Sequence, residues 1–122
     1  MNDFPHEFEF STVIPVCIEH INYGNHLGND KVVSLLHEAR VRYLKSKGKT
    51  EGNILVTHLE VKYRKEAFHG DELSFHLHYT QTKPCSGVFY YNVMRDKEVV
   101  IQASTKIAFF DYQTRKIVKD SL

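Results

Sequence analysis

The hydrophobic pattern predicts an α+β fold in which one antiparallel sheet of about five strands is covered by a single long helix. Two observations predict it. Over residues 30–47, Val32, Leu35, Leu36, Ala39 and Tyr43 recur at helical spacing. After that helix, every apolar run reads as strand, most clearly where Leu73, Phe75, Leu77 and Tyr79 alternate with Glu72, Ser74, His76 and His78. At 122 residues the chain suits one domain, residues 1–122, whose core needs neither a staple nor a metal.

The elements follow in order. Residues 7–18 carry Phe8, Phe10, Val13, Ile14, Val16 and Ile18, a strand pattern that Pro15 assigns to a sheet edge or a bulge. Residues 21–30, INYGNHLGND, are rich in Asn and Gly and predict irregular backbone. Asn29 or Asp30 is placed to cap the helix and Gly48 to end it, giving a rod of about 27 Å. In residues 53–63, Leu59, Val61 and Tyr63 share one face and His58, Glu60 and Lys62 the other. A turn around Pro84 and Gly87 leads into residues 88–94, and Asp96-Lys97 suits a tight hairpin into residues 99–110. Residues 116–119 add a last short piece at the edge. One helix cannot cover both the width and the ends of such a sheet, which predicts a twofold dimer that could pair further into a tetramer.

Composition excludes several functions. Lys plus Arg number 16 and Asp plus Glu 15, a net charge of +1 with His neutral. That balance lacks the basic footprint of a nucleic-acid-binding domain. The first ten residues, MNDFPHEFEF, show neither the positive nor the apolar segment of a secretory signal, and no apolar run approaches the roughly 20 residues of a membrane-spanning helix. Cys17 and Cys85 are not a CxxC pair, and each reads as a small buried hydrophobe. These features together predict a cytoplasmic protein without nucleic acid or membrane as partner.

No GxSxG elbow, P-loop, HExxH or GxGxxG is present. His76 and His78 share a strand face at a spacing that can chelate, but no third ligand accompanies them, so no metal site is predicted. The informative stretch is residues 19–30, polar and glycine-containing, which runs straight into the start of the long helix. Unpaired N–H groups at a helix start, aided by the helix dipole, can stabilise an oxyanion. His26 brings to that place a residue type suited to moving a proton near neutral pH.

The run IEHINYGNHLGNDKVVSLLHEARVRYL resembles the 4-hydroxybenzoyl-CoA thioesterase-like branch of the hotdog superfamily. Its loop reads D-x-x-G-H-V-x-N and its helix L-x-x-x-E-A-R-x-x-x-L. His26-Leu27 match the H-V pair, Asn29 the Asn, and Glu38-Ala39-Arg40 the E-A-R. Downstream, VKYRKEAFHGDEL is similar to the family's Y-x-x-x-A-x-x-G-D-x-L through Tyr63, Ala67, Gly70, Asp71 and Leu73. The resemblance covers nearly the whole chain and implies a hotdog fold, the sheet wrapped around one central helix.

It also implies hydrolysis of an acyl-CoA, or acyl-carrier-protein, thioester at a site between two subunits, the CoA moiety being part of the substrate and no separate cofactor being needed. In that branch a loop Asp is nucleophile or general base, and a backbone N–H at the helix start, here that of Asn29, polarises the thioester carbonyl. The Asp position holds Asn22. An amide is no base near neutral pH, although Asn22 can still hold a water or the substrate carbonyl. His26 is the first group placed to take over. Glu38 is the second, since another hotdog branch uses a helix carboxylate, but at i, i+4 it can equally pair with Arg42. His20 or Glu19 is the third. For the CoA phosphates, Tyr63, Arg64 and Lys65 at a strand end and Lys83 in the next turn are the candidates. Two other readings stand beside hydrolysis: a hotdog that binds acyl-CoA without turning it over, and hotdog hydratase or dehydratase chemistry, whose loop this sequence matches poorly.

Overall fold

The computed structural model describes Met1 and residues 3–122. Its elements are β1 (Phe10–Pro15), α1 (Asn29–Ser46), β2 (Ile54–Tyr63), β3 (Glu72–Lys83), β4 (Ser86–Arg95), β5 (Glu98–Asp111) and β6 (Lys116–Ile117). Two short 3-10 turns, Ile18–His20 and Tyr23–Asn25, lie between β1 and α1. The sheet runs β1-β3-β4-β5-β2, antiparallel throughout, with β6 paired to β5.

The alternation in β3 places Leu73, Phe75 and Leu77 in the core. Phe89, Tyr91 and Val93 of β4 and Ile101, Ala103, Ile107 and Phe109 of β5 join them on the same face. Against this face α1 buries Val32, Leu35, Leu36, Ala39, Arg40, Tyr43 and Leu44. A fully buried leucine or phenylalanine contributes roughly 1.5–3 kcal/mol relative to exposure, so the helix is held by its stripe. The helix ends where the sequence predicts, through a Schellman motif. Gly48 takes φ +70°, its N–H reaches the Lys45 carbonyl at 3.0 Å, and the Lys49 N–H reaches that of Leu44 at 2.8 Å.

Four local expectations are corrected. The helix starts at Asn29 with Gly28 at the N-cap, and neither Asn29 nor Asp30 caps it. The first strand is confined to Phe10–Pro15: the Val16 N–H still reaches the Asp71 carbonyl, but the Val16 carbonyl accepts from the Gly70 N–H and the Asp71 N–H turns back to the Phe68 carbonyl, which ends the ladder. The β3–β4 turn is Pro84-Cys85, with Gly87 inside β4 opposite Gln81. The Tyr79 side chain lies directly over Gly87, where a Cβ would collide with its hydroxyl and ring. Cys17 is exposed and Cys85 half-buried, both as free thiols.

Of the two edge strands, β1 is short and ends in Pro15, which blunts it. Strand β2 is ten residues long. A bulge between Val56 and His58 keeps Val56, Leu59, Val61 and Tyr63 all on the inner face, opposite Ile107, Thr105, Ala103 and Ile101 of β5. The helix packs closest to β1 and β3, so Val56, Leu59 and Tyr63 remain exposed together with Val33 of α1.

On the other side of the helix, Glu9 ties the N-terminal segment to the core. It accepts hydrogen bonds from the Tyr43 hydroxyl at 2.7 Å and the Tyr79 N–H at 3.0 Å, and its second oxygen meets His78 Nδ1 at 2.6 Å. Burial alone would push this carboxyl up, but the hydrogen bonds from Tyr43, Tyr79 and His78 outweigh it and hold Glu9 below the usual glutamate range. A depressed folded-state pKa adds stability above the unfolded value near 4.3, and that stability is lost as pH falls through the folded value. Glu9→Gln is therefore expected to lower the melting temperature at pH 7, with the gap to wild type closing as the pH drops below about 4. Thermal melts across pH check this, and a gap that widens on acidification would contradict it.

Candidate active site

The loop before α1 is folded by its glycines and braced from behind. Gly24 at φ +79° and Asn25 at φ +68° turn the chain, and the His26 ring packs over Gly24 so closely that a Cβ there would meet it. The Asn22 N–H donates to the His26 carbonyl at 2.8 Å, and the Gly28 N–H to that of His20 at 2.9 Å. Behind the loop stands the segment read as A-x-x-G-D. The Leu27 N–H donates to the Ala67 carbonyl at 2.8 Å, and His26 bridges to Phe68. Gly70, at φ +91°, lets that segment turn. The Asp71 carboxylate then accepts from the Phe68 N–H at 2.9 Å and from Arg95 at 2.8 Å. Burial alone would raise this carboxyl, but those two donors win and hold it below the usual aspartate range. The Gly-Asp pair is thus a brace that sets the loop's position.

A cavity of about 730 Å³ opens in front of the loop, within the usual range of roughly 300–1,000 Å³ for small-molecule sites. It is lined by Asn22 and His26 from the loop, Asn29 and Asp30 from the helix start, and Tyr63, Arg64 and Lys65 from the end of β2. Six of the ten residues named from sequence thus share one cavity. At its edge the helix offers free donors. The Lys31 and Val32 N–H groups turn back to the Gly28 carbonyl, whereas those of Asn29 and Asp30 donate to no acceptor among the described residues. Gly28 has no side chain to cover them, and the Asp30 carboxylate folds back into the space a Cβ would occupy.

His26 is partly exposed, and its Nδ1 stands 3.3 Å from a Glu66 carboxylate oxygen. Glu66 lines the same cavity, and the reading of the sequence missed it. The contact exists only because His26 lies against Phe68 across a bridge between segments some 40 residues apart, which no local motif encodes. At the far wall the Tyr63 hydroxyl donates to the Asn29 carbonyl at 3.3 Å. Burial, and secondarily the Asp30 charge, raise the Tyr63 phenol, so it stays a donor. Arg64 holds the Gln102 amide oxygen at 2.9 Å, which leaves its charge uncancelled, whereas Lys65 is paired with Glu98 at 2.7 Å. Arg64 is the freer cation for an anionic group.

The other four lie elsewhere. Glu38 is nine positions beyond Asn29, about half a turn round the helix. It is spent on Arg42 at 2.7 Å, on the side where Arg42 also reaches Thr12 and the Val13 carbonyl. Lys83 ends β3 beside the Pro84-Cys85 turn and pairs with Ser86. Ser86 faces Ala108 of β5, seven residues from the cavity residue Ile101 and so about 23 Å along the strand. Within this chain neither reaches the cavity. Of the third-choice residues, His20 turns back to the Cys17 N–H at 2.9 Å and Glu19 is exposed beside it.

The thioesterase-like superfamily matches residues 16–119, and the chain belongs to that family. Among solved structures it resembles a 1,4-dihydroxy-2-naphthoyl-CoA thioesterase from Synechocystis, with a TM-score of 0.84, 17% identity, and coverage of 92% of this chain and 89% of that one. It also resembles a DHNA-CoA thioesterase from Staphylococcus aureus, with a TM-score of 0.80, 18% identity, and coverage of 89% and 78%. A third likeness is to YbaW, a probable thioesterase of Escherichia coli, with a TM-score of 0.77, 25% identity, and coverage of 89% and 88%. No curated protein matches the chain. The curled antiparallel sheet around one long helix is the hotdog fold, as the resemblance in the sequence implied. No helix is long and apolar enough to cross a membrane among the described residues.

Proposed function

We propose that this protein hydrolyses an acyl-CoA thioester, or its acyl-carrier-protein counterpart, to the free acid and the thiol. The observation that carries the reading is that Asn29 and Asp30, whose N–H groups are unpaired among the described residues, line the same cavity as His26 and Asn22. In this reading the thioester carbonyl oxygen accepts from those N–H groups, whose dipole favours the negative charge that develops there. Glu66 orients His26, which takes a proton from a water held by the Asn22 amide as that water adds to the carbonyl carbon. The tetrahedral intermediate collapses by breaking the C–S bond. His26 returns its proton to the departing thiolate, leaving the acid and free CoA. Arg64 at the cavity mouth suits the CoA phosphates.

A second copy of the chain completes the site in this proposal. Strand β2 presents unpaired backbone groups and the exposed Val56, Leu59 and Tyr63 beside the cavity, the features of an edge that another chain covers. The non-catalytic reading has one observation in its favour, namely Asn22 where the family's loop carries a carboxylate.

The test is release of free thiol from short, long and aromatic acyl-CoAs by the purified protein, with its mass in solution measured by light scattering. Release by a dimer or larger assembly is expected. Leu59→Glu should split the assembly and lower turnover together. Tight acyl-CoA binding without thiol release would establish the binding reading instead, and a monomer that turns over at full rate would remove the shared site.

A further inference from the structure

The inner flank of the helix carries a second, smaller cavity of about 220 Å³, and its floor is polar. Its walls are Val33 and Leu36 of α1 and Val56 and Leu59 of β2, while Arg40 and Thr105 lie at its base and His37 at its rim. It lies farther along the same faces of α1 and β2 as the candidate active site. Asn29, Val33, Leu36 and Arg40 fall within about 60° of one another around the helix at roughly 100° per residue. Across the groove, Tyr63 and Leu59 share the inner face of β2, facing Ile101 and Thr105 of β5 in turn. From Asn29 to Arg40 the helix rises about 16 Å, and an arginine side chain leans back toward the helix start. A group extending from a thioester at the helix start and following these faces comes to Arg40 and Thr105 on the order of 10–15 Å away.

The polar floor has donors to spare. Arg40 is buried, giving Nε to Glu51 at 2.7 Å and Nη1 to the Tyr91 hydroxyl at 3.1 Å. Burial alone would lower this guanidinium, but Tyr91 and Glu51 outweigh it and keep it charged. Its Nη2 makes no hydrogen bond among the described residues, and no fully buried side-chain nitrogen or oxygen there lacks a partner, so Nη2 opens onto the cavity. Tyr91 is completely buried, and burial raises its phenol, which keeps the proton on. That proton has one acceptor, the Thr105 hydroxyl at 2.8 Å, because the arginine can only donate. The Thr105 hydroxyl proton is therefore free to point into the cavity. Two convergent donors under an apolar mouth call for an oxygen acceptor. The one buried cation already has Glu51 as its counter-ion, with His37 a further 3.4 Å from the same carboxylate. A second carboxylate would be uncompensated.

We propose that this floor recognises a neutral oxygen, a hydroxyl or carbonyl, carried on the acyl group of the substrate at the end remote from the thioester. The inference rests on the thioesterase reading for the placement of the acyl group, and Thr105 and Arg40 are its specificity-determining residues. The test compares acyl-CoAs of equal length with and without a terminal hydroxyl, and with a terminal carboxylate. Both kcat/KM and the binding of non-hydrolysable thioether analogues by calorimetry are measured. The expected result is a preference of about 10-fold or more for the hydroxylated chain, since a site built to hydrogen-bond rejects the analogue that leaves its donors unpaired. Thr105→Val should reduce that ratio toward one, while Thr105→Ser, which keeps the hydroxyl, should retain it. Parity in the wild type, a preference that survives Thr105→Val, or stronger binding of the carboxylate chain would each overturn the proposal. If no CoA is released from any substrate, the hydrolytic reading fails by itself. The thioether analogues then decide the recognition site, a hydroxyl preference supporting it and parity overturning it.

Discussion

Asn22→Asp is expected to raise kcat/KM on the best acyl-CoA and to extend activity to lower pH. Asn22 stands on the cavity wall with its backbone held by the His26 carbonyl, and aspartate is nearly isosteric with it. The substitution therefore adds a carboxylate without asking the loop to move. Positioned base or nucleophile assistance is worth about 10²–10⁴ in rate. A carboxylate also stays in its basic form far below the pH at which an imidazole is protonated. One neighbour limits the gain. The Asp30 carboxylate and the Asn22 amide both lie within 4 Å of the space a Gly28 Cβ would occupy, so the new charge has a like charge nearby that raises its pKa and narrows the acid extension. The N–H groups of Asn29 and Asp30 act in the opposite sense. The measurement is kcat/KM against pH for both proteins. A variant that is folded but slower than wild type would remove residue 22 from the vicinity of the thioester carbon.

His26→Ala should cost about 10²–10⁴ in kcat, the usual worth of a general base, and should flatten the acid side of the pH profile. Glu66→Gln separates catalysis from packing. The amide keeps the size of the side chain that faces His26 Nδ1 but not its charge, so kcat should fall while KM is little changed. Because the His26 ring also packs on Gly24 and beside Phe68, near-wild-type melting of both variants is needed to read the kinetics. A fully active His26→Ala enzyme would leave the water to another base, and among the cavity residues Glu66 would be the next to test.

Much of this protein was legible in its sequence. The helix is dictated by the spacing of Val32, Leu35, Leu36, Ala39 and Tyr43, and its end by Gly48, the residue that takes the left-handed conformation of the Schellman turn. The faces of β3 are dictated by strict alternation. These are local signals, set within a few residues by periodicity and by what a glycine permits. The donor-rich helix start is legible for the same reason, since any helix leaves its first N–H groups unpaired.

Other features depended on residues far apart in the chain. The sequence reads Arg40 as part of an E-A-R string, but its place beneath a groove follows from the register that brings Tyr91 and Thr105 to it from two different strands. Glu66 meets His26 only through the bridge of residue 26 to residue 68. Lys83 and Lys65 look alike as basic residues near turns, yet the antiparallel order sends Lys83 to the opposite end of the sheet. The bulge in β2 was equally unreadable, and it decides that Val56 shares a face with Leu59. Periodicity and turn chemistry act between near neighbours, and so the sequence determined the elements and the helix-start donors. Strand pairing acts between distant segments and shifts every side chain to the other face when it slips by one residue, and so only the tertiary structure decided which histidine, carboxylate and buried donors share the cavities.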